Sequence, residues 1–131
     1  MGAALFACAS APVAAAATIE RVGPRLAHPW GMDFIGTDQV LVTVRGGGLQ
    51  RISLADGSAA DITGLPQVFA RRQGGMLDVM VHGPDVYLCY SADLDGKSST
   101  AIDRARLEGD ALVERETIFT GNNPSRSGHH F

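Results

Sequence analysis

The chain has 131 residues, which is enough for one domain of ordinary size. Apolar residues make up 45% of it and charged residues 19%, a balance typical of globular rather than disordered proteins. The net charge of −3, without a basic run, argues against nucleic acid or an anionic membrane surface as a partner. The 16 glycines and the short apolar runs favour a turn-rich β protein.

The N-terminal residues 1–17 are predicted to be a signal peptide, which leaves residues 18–131 as the mature part. Residues 3–17 are apolar and rich in alanine, and Ala15, Ala16 and Ala17 are small enough for cleavage before Thr18. This stretch is too short for a membrane span, and no Lys or Arg precedes it. We therefore expect a periplasmic or secreted protein. The alternative is a lipoprotein anchor, because residues 5–8 (LFAC) loosely resemble a bacterial lipoprotein cleavage box.

Short strands separated by tight turns follow Thr18. The QVLVTV run is apolar and β-branched, and the GLQRIS run alternates apolar and polar residues as a half-buried strand does. Turns are indicated by Gly36-Thr37-Asp38 and by Ala55-Asp56-Gly57-Ser58. The predicted strands are residues 31–35, 39–44, 48–53 and 60–63. Together they form a meander of the size of one propeller blade.

A second set of four strands is predicted further along the chain. Its strands are residues 76–82, 86–91, 100–107 and 112–119, with turns at 83–85 and 108–110. Residues 100–107 alternate in a way that suits an outer strand. Their charges, Asp103, Arg104 and Arg106, together with Glu108, are interpreted as a solvated surface with cross-strand ion pairs. No helical period is present after residue 17, so the sequence predicts an all-β fold with two blades and a third beginning at His129.

Four motifs lie in one order along this pattern. They are residues 28–32 (HPWGM), 41–45 (LVTVR), 72–79 (RQGGMLDV) and 127–131 (SGHHF). In this order and with these spacings they resemble the soluble quinoprotein sugar dehydrogenases, also called glucose/sorbosone or aldose sugar dehydrogenases. The resemblance covers nearly all of residues 26–131. Two departures are visible: Val44 stands where the family usually has Glu, and the loop after His82 is shorter.

The resemblance implies a six-bladed β-propeller, of which this chain supplies the first third. It also implies oxidation of an aldose sugar at its anomeric carbon, with pyrroloquinoline quinone (PQQ) as cofactor. Gln73 matches the family glutamine that touches the quinone. His130 matches the family's general base, and the resemblance implies that it also contributes to cofactor binding. The family's calcium ligands and the cationic groups that hold PQQ lie beyond Phe131, so no metal ligand is assigned here and the chain alone is expected to be inactive.

These residue types suit that chemistry. A neutral histidine can accept the proton of a sugar hydroxyl, and the quinone takes the hydride. A glutamine amide can donate to a quinone or carboxylate oxygen without adding charge. Gly74 and Gly75 would let the backbone approach a flat cofactor. Plainer interpretations stay open: Gln73 as a turn cap, Trp30 as a core or inter-blade aromatic, and Cys89 as a small buried hydrophobe.

Two other functions are compatible with the sequence. The chain could belong to a propeller module that binds without catalysis, because one fold serves many functions. It could also be the inactive product of a truncated gene. Within the dehydrogenase interpretation, the sugar stays open, and the electron acceptor is either a soluble cytochrome or a membrane quinone.

Overall fold

The computed structural model describes residues 16–127, which form two four-stranded antiparallel sheets. The first sheet contains β1 (Pro29–Ile35), β2 (Gln39–Val44), β3 (Gly48–Ser53) and β4 (Ala59–Asp61). The second contains β5 (Met76–His82), β6 (Asp85–Leu94), β7 (Lys97–Glu108) and β8 (Ala111–Thr120). Each sheet follows chain order, and residues 16–127 include no helix, hence none that could span a membrane. The all-β prediction of two meanders is confirmed.

Most strand bounds agree with the prediction, and the largest difference is a missed hairpin turn. β6 and β7 extend until they meet at Asp95 and Gly96, which have φ values of 54° and 80°. Asp-Gly is the usual pair for a two-residue turn in which both central residues need positive φ. The predicted third strand at His129 and the predicted signal peptide 1–17 lie outside the described residues, apart from 16 and 17.

The prediction of a solvated outer strand at residues 100–107 is wrong in two respects. β7 lies between β6 and β8 and is therefore not an edge strand. Asp103 is 0% exposed and accepts a hydrogen bond of 2.9 Å from the Tyr90 hydroxyl, while Arg115 forms its ion pair. Arg104, Arg106 and Glu108 behave as predicted, since all three are exposed, and Arg106 forms a cross-strand ion pair of 3.1 Å with Glu114.

The hydrophobic core lies between the two sheets. Side chains alternate along a strand, so each sheet has one face in this core and one face turned away from it. The second sheet contributes most of the core, and its buried residues include Met76, Val79, Val86, Leu88, Tyr90, Ala101, Ala105 and Leu112. The first sheet adds Leu41, Leu49 and Ile62. We call these two surfaces the covered faces.

The opposite surfaces, the open faces, carry exposed apolar side chains. On β1 these are Trp30, Met32 and Phe34, each more than half exposed. Trp30 is 56% exposed, so within residues 16–127 it is not a core residue. On the second sheet a groove of about 300 Å³ is lined by residues that include Met80, Tyr87, Cys89, Ile102 and Ile118. Cys89 is only half-buried there, a partial match to its interpretation as a buried hydrophobe.

Candidate functional site

Gln73 lies in a tight turn formed by residues 71–74, immediately before β5. The Gly74 N–H donates to the Arg71 carbonyl across 2.8 Å, which closes the turn. Arg72 has a φ of 54°, the left-handed region that few non-glycine residues adopt. The Gln73 side chain is exposed at the tip of this turn. We call residues 71–74 the Gln73 turn.

The two glycines after Gln73 allow close packing against the protein's own backbone. A Cβ on Gly74 would lie 2.5 Å from the Phe69 carbonyl oxygen. A Cβ on Gly75 would overlap the Arg45 carbonyl oxygen, and the φ of Gly75 is 146°. Their smallness is therefore explained by contacts within the chain, whereas the sequence had suggested a close approach to a flat cofactor.

Backbone hydrogen bonds attach the segment around the Gln73 turn to both sheets. The Met76 N–H donates to the Arg45 carbonyl of the first sheet across 3.0 Å. In the second sheet, the Ser91 N–H donates to the Gly75 carbonyl and the Phe69 N–H donates to the Ser91 carbonyl, each across 2.8 Å. The turn is thus anchored on both sides of Gln73.

The Arg45 side chain reaches the same turn. Its Nη1 donates to the Arg72 carbonyl and, across 3.5 Å, to the Gly74 carbonyl. The sequence motifs at 41–45 and 72–79 are therefore in direct contact through their arginine and their turn. Sequence reasoning noted Arg45 only as the end of a motif and assigned it no role at the site.

Thr43, on β2 in the same motif, links β1 of the first sheet to β5 of the second. It is fully buried, and its Oγ1 accepts from the Gly31 N–H across 2.8 Å and donates to the Leu77 carbonyl across 2.6 Å. Gly31 lies so close to β5 that a Cβ there would stand 3.0 Å from that Leu77 oxygen. The Asp33 carboxylate adds a third link, because it accepts from the Val81 N–H across 2.7 Å.

The departure from the family pattern at Val44 does not touch the Gln73 turn. Side chains alternate along β2, so Val44 points away from the face that carries Thr43. It packs near Gly48, where an added Cβ would lie 3.3 Å from the Val44 Cβ. Val44 therefore lies on the opposite face of β2 from the Thr43 contacts with Gly31 and Leu77.

Of the four histidines, His28 and His82 lie within the described residues, and His129 and His130 lie outside them. His130 lies outside the described residues, so its meeting with Gln73 stays a prediction. His28 is exposed, has a φ of 58° and accepts from the Arg45 N–H across 3.1 Å through its carbonyl. His82 ends β5 at the opposite end of the strand from Gln73. Residues 16–127 contain no group of three or more His, Cys, Asp or Glu placed to hold a metal ion.

Shifted pKa values occur at other positions than the Gln73 turn. Burial, followed by a hydrogen bond to Asp103, raises the pKa of Tyr90. Burial, followed by the charge of Asp78, raises the pKa of Cys89. Hydrogen bonds from the Ser58 backbone and side chain lower the pKa of Asp56 to about 2. Because glutamine does not titrate, what Gln73 offers to a ligand is hydrogen bonding without proton transfer.

Comparison with known proteins relates this chain to sugar dehydrogenases. Residues 26–131 match the family model described as Glucose / Sorbosone dehydrogenase. The chain is 35% identical to the Escherichia coli K12 aldose sugar dehydrogenase YliI over 139 aligned positions, which cover 97% of this chain and 37% of that protein.

Solved structures show the same relationship. A crystal structure of glucose dehydrogenase matches with a TM-score of 0.76 at 33% identity, over 81% of this chain and 33% of that one. The apo-form of the soluble aldose sugar dehydrogenase from Escherichia coli matches with a TM-score of 0.74, also at 33% identity and over the same shares. A PQQ-bound aldose sugar dehydrogenase from Streptomyces coelicolor, 22% identical with a TM-score of 0.67 over 76% of this chain and 32% of its own, shares the fold. The chain thus spans about one third of the length of these relatives.

Proposed function

Since this chain belongs to the glucose/sorbosone dehydrogenase family, we propose that it forms the first third of an enzyme that oxidises aldose sugars at the anomeric carbon. PQQ, when bound, accepts the hydride from the sugar. The observation that carries the proposal is the Gln73 turn. It is fixed by both sheets and presents one exposed, uncharged amide at the position where the family motif has its cofactor contact.

Gln73 suits a quinone cofactor in its chemistry. Its amide group supplies two donors and one acceptor, so it can bind a carbonyl or carboxylate oxygen of PQQ. Within residues 16–127 the side chain has no hydrogen-bond partner, which leaves these groups available to a ligand. A fixed backbone beneath a free amide lowers the cost of ordering the side chain on binding.

His130 is proposed as the general base that takes the proton of the anomeric hydroxyl. The proposal rests on its place in the motif at residues 127–131. An imidazole with an ordinary pKa is largely neutral at neutral pH and can accept a proton there. Gln73 and His130 would then bind the same cofactor-and-sugar pair from two successive blades.

Several wider features belong to the same proposal. Residues 1–17 would direct export to the periplasm or the cell exterior, with lipid anchoring as the alternative. The calcium ligands and the cationic groups that bind the PQQ carboxylates would come from other blades. We therefore expect the 131-residue chain to show no turnover alone. Electrons would leave through a cytochrome or a membrane quinone.

The test restores the other blades by grafting residues 26–131 onto the remaining two thirds of the Escherichia coli aldose sugar dehydrogenase. We expect PQQ-dependent dye reduction with aldoses in the presence of calcium.

His130→Ala should abolish turnover while PQQ stays bound, and Gln73→Ala should weaken PQQ binding. His82→Ala serves as a histidine control. A folded, PQQ-loaded graft that reduces no dye with any sugar would contradict the proposal. Sugar binding that survives without turnover would favour the non-catalytic module.

A further inference from the structure

Arg45 crosses from the first sheet to the carbonyl groups that flank Gln73. We propose that Arg45 is a positioning residue: it fixes the peptide units on either side of Gln73 and so aims the glutamine amide at its ligand. The inference rests on the cofactor contact proposed for Gln73 above. The restraint that Arg45 places on the turn backbone, which we call its hold on the turn, can however be measured without any cofactor.

The hydrogen bonds of Arg45 define this hold. Nη1 donates to the carbonyl of Arg72, which precedes Gln73, and to that of Gly74, which follows it. Hydrogen bonds from an ionised donor are stronger than neutral ones, and the planar guanidinium keeps its donors in a fixed geometry. One side chain therefore restrains the backbone at both ends of the residue it is proposed to position.

Arg45 can do this because its own backbone is fixed. Its N–H donates to the His28 carbonyl across 3.1 Å, and its carbonyl accepts from the Met76 N–H across 3.0 Å. Gly75 packs directly against that same carbonyl, where a larger residue would collide. The base of the Arg45 side chain thus has a set position relative to the start of β5.

Without the hydrogen bonds from Arg45, the backbone of the Gln73 turn is expected to relax. Arg72 adopts a positive φ of 54°, which costs energy for a residue with a Cβ and persists where the surroundings enforce it. Within the turn, the Gly74-to-Arg71 hydrogen bond closes the loop but does not engage the Arg72 carbonyl. Because the Gln73 side chain has no partner in residues 16–127, its direction follows that of the backbone.

Trypsin provides the first test in the 131-residue chain. The bond it would cut between Arg72 and Gln73 contains the carbonyl that Arg45 holds. We expect Arg45→Met to speed cleavage at this bond about tenfold, because losing a hydrogen bond from a charged donor makes the open, cleavable form of the turn more populated. Arg45→Lys, which keeps a cationic donor, should restore part of the protection. Cleavage after Lys97, at the exposed β6–β7 hairpin, should not change and gives the internal reference.

Arg51 offers a matched control. It also spans the two sheets, through an ion pair with Asp110 and a hydrogen bond of 3.3 Å to the Gly109 carbonyl, and both partners lie in the turn between β7 and β8 rather than in the Gln73 turn. Arg51→Met should leave cleavage after Arg72 unchanged. Equal cleavage rates in the wild type and in Arg45→Met, or equal acceleration by Arg51→Met, would overturn the inference.

The second test links the hold to the ligand, in the grafted protein described above. We expect Arg45→Met to raise the dissociation constant of PQQ about tenfold, with partial rescue by Arg45→Lys and no effect of Arg51→Met. If Gln73→Ala weakens PQQ binding and Arg45→Met does not, the positioning role is refuted. If Gln73→Ala itself has no effect on PQQ binding, the proposed cofactor contact fails, while the trypsin result still decides whether Arg45 holds the turn.

Discussion

The two faces of the second sheet differ although the same strands build both. On β6, Val86 and Leu88 point toward the first sheet and are buried almost completely. Their neighbours Tyr87 and Cys89 point the other way and line the open groove. Both sets offer apolar side-chain surface, but a packed sheet covers only the first. Burial on this sheet follows the presence of a neighbouring sheet.

The same contrast applies to polar groups. On the covered face Asp103 is fully buried, and both its oxygens have partners in Tyr90 and Arg115. On the open face Arg106 bonds Glu108 and Glu114 in solvent, where ion pairs contribute little. On the covered face, the buried carboxylate of Asp103 is thus fully hydrogen-bonded, as in a protein interior. The open face is a solvated surface that a further sheet could cover. The substitutions below test that contrast.

The largest expected effect is at Leu88. Leu88→Ala removes a fully buried side chain from the core and should lower the free energy of unfolding by about 3 kcal/mol, from lost transfer energy and the cavity left behind. Ile118→Ala, on the open face and 49% exposed, should cost less than about 1 kcal/mol. Urea denaturation of both variants measures the difference. Equal losses would mean that the two faces do not differ in packing.

A smaller effect is expected at Asp103. Asp103→Asn keeps the shape but removes the charge that pairs with Arg115, and it weakens the acceptor for the Tyr90 hydroxyl. Because Arg115 is 35% exposed, water can solvate it after the change, so we expect a loss of about 2 kcal/mol, less than for a fully buried pair. Glu114→Gln, which removes an exposed partner of Arg106, should be nearly neutral. A neutral Asp103→Asn would show that this buried network adds no stability.

The strands were largely predictable from the sequence, whereas the partners of polar residues were not. β2, β3 and β5 have the predicted bounds because each is a run of β-branched or alternating residues between turn formers. Alternation shows which residues share a face of a strand but not which face another sheet covers, so the predicted exposure of Asp103 is wrong. That information lies in contacts with distant segments.

At the candidate site, too, some features could be predicted from the sequence and others could not. Gln73 could be named from its motif, and the structure places it in an exposed, anchored turn. Arg45 could not be assigned a role, because its contact with the turn spans 27 residues of sequence and depends on how the two sheets pack. The sequence singles out Gly74 and Gly75, but their close approach to the Phe69 and Arg45 carbonyls is visible only in the fold.

A third prediction concerns the polar link between the sheets. Thr43→Val keeps the shape of the side chain but removes the hydroxyl that bonds Gly31 and Leu77. Two buried backbone groups then lose a partner, and we expect stability to fall by about 1–2 kcal/mol. Thr37→Val is the control, because that hydroxyl bonds Asp38 on the exposed β1–β2 turn and should contribute little. An unchanged urea midpoint for Thr43→Val would show that apolar packing alone joins the sheets.

The smallest effect concerns the reactivity of Cys89 on the open face. Burial, and then the negative charge of Asp78, raise the pKa of its thiol, so the reactive thiolate is scarce at pH 8 and becomes abundant only as the pH rises through that higher pKa. Iodoacetamide should therefore modify Cys89 more slowly in the folded chain than in urea, as followed by peptide mapping. Asp78→Asn removes the charge but keeps the burial, and should speed the reaction by less than full exposure in urea does, because burial is the larger cause. If folded Cys89 reacts as fast as in urea, the groove does not shield it. If Asp78→Asn has no effect, burial alone sets the thiol's reactivity.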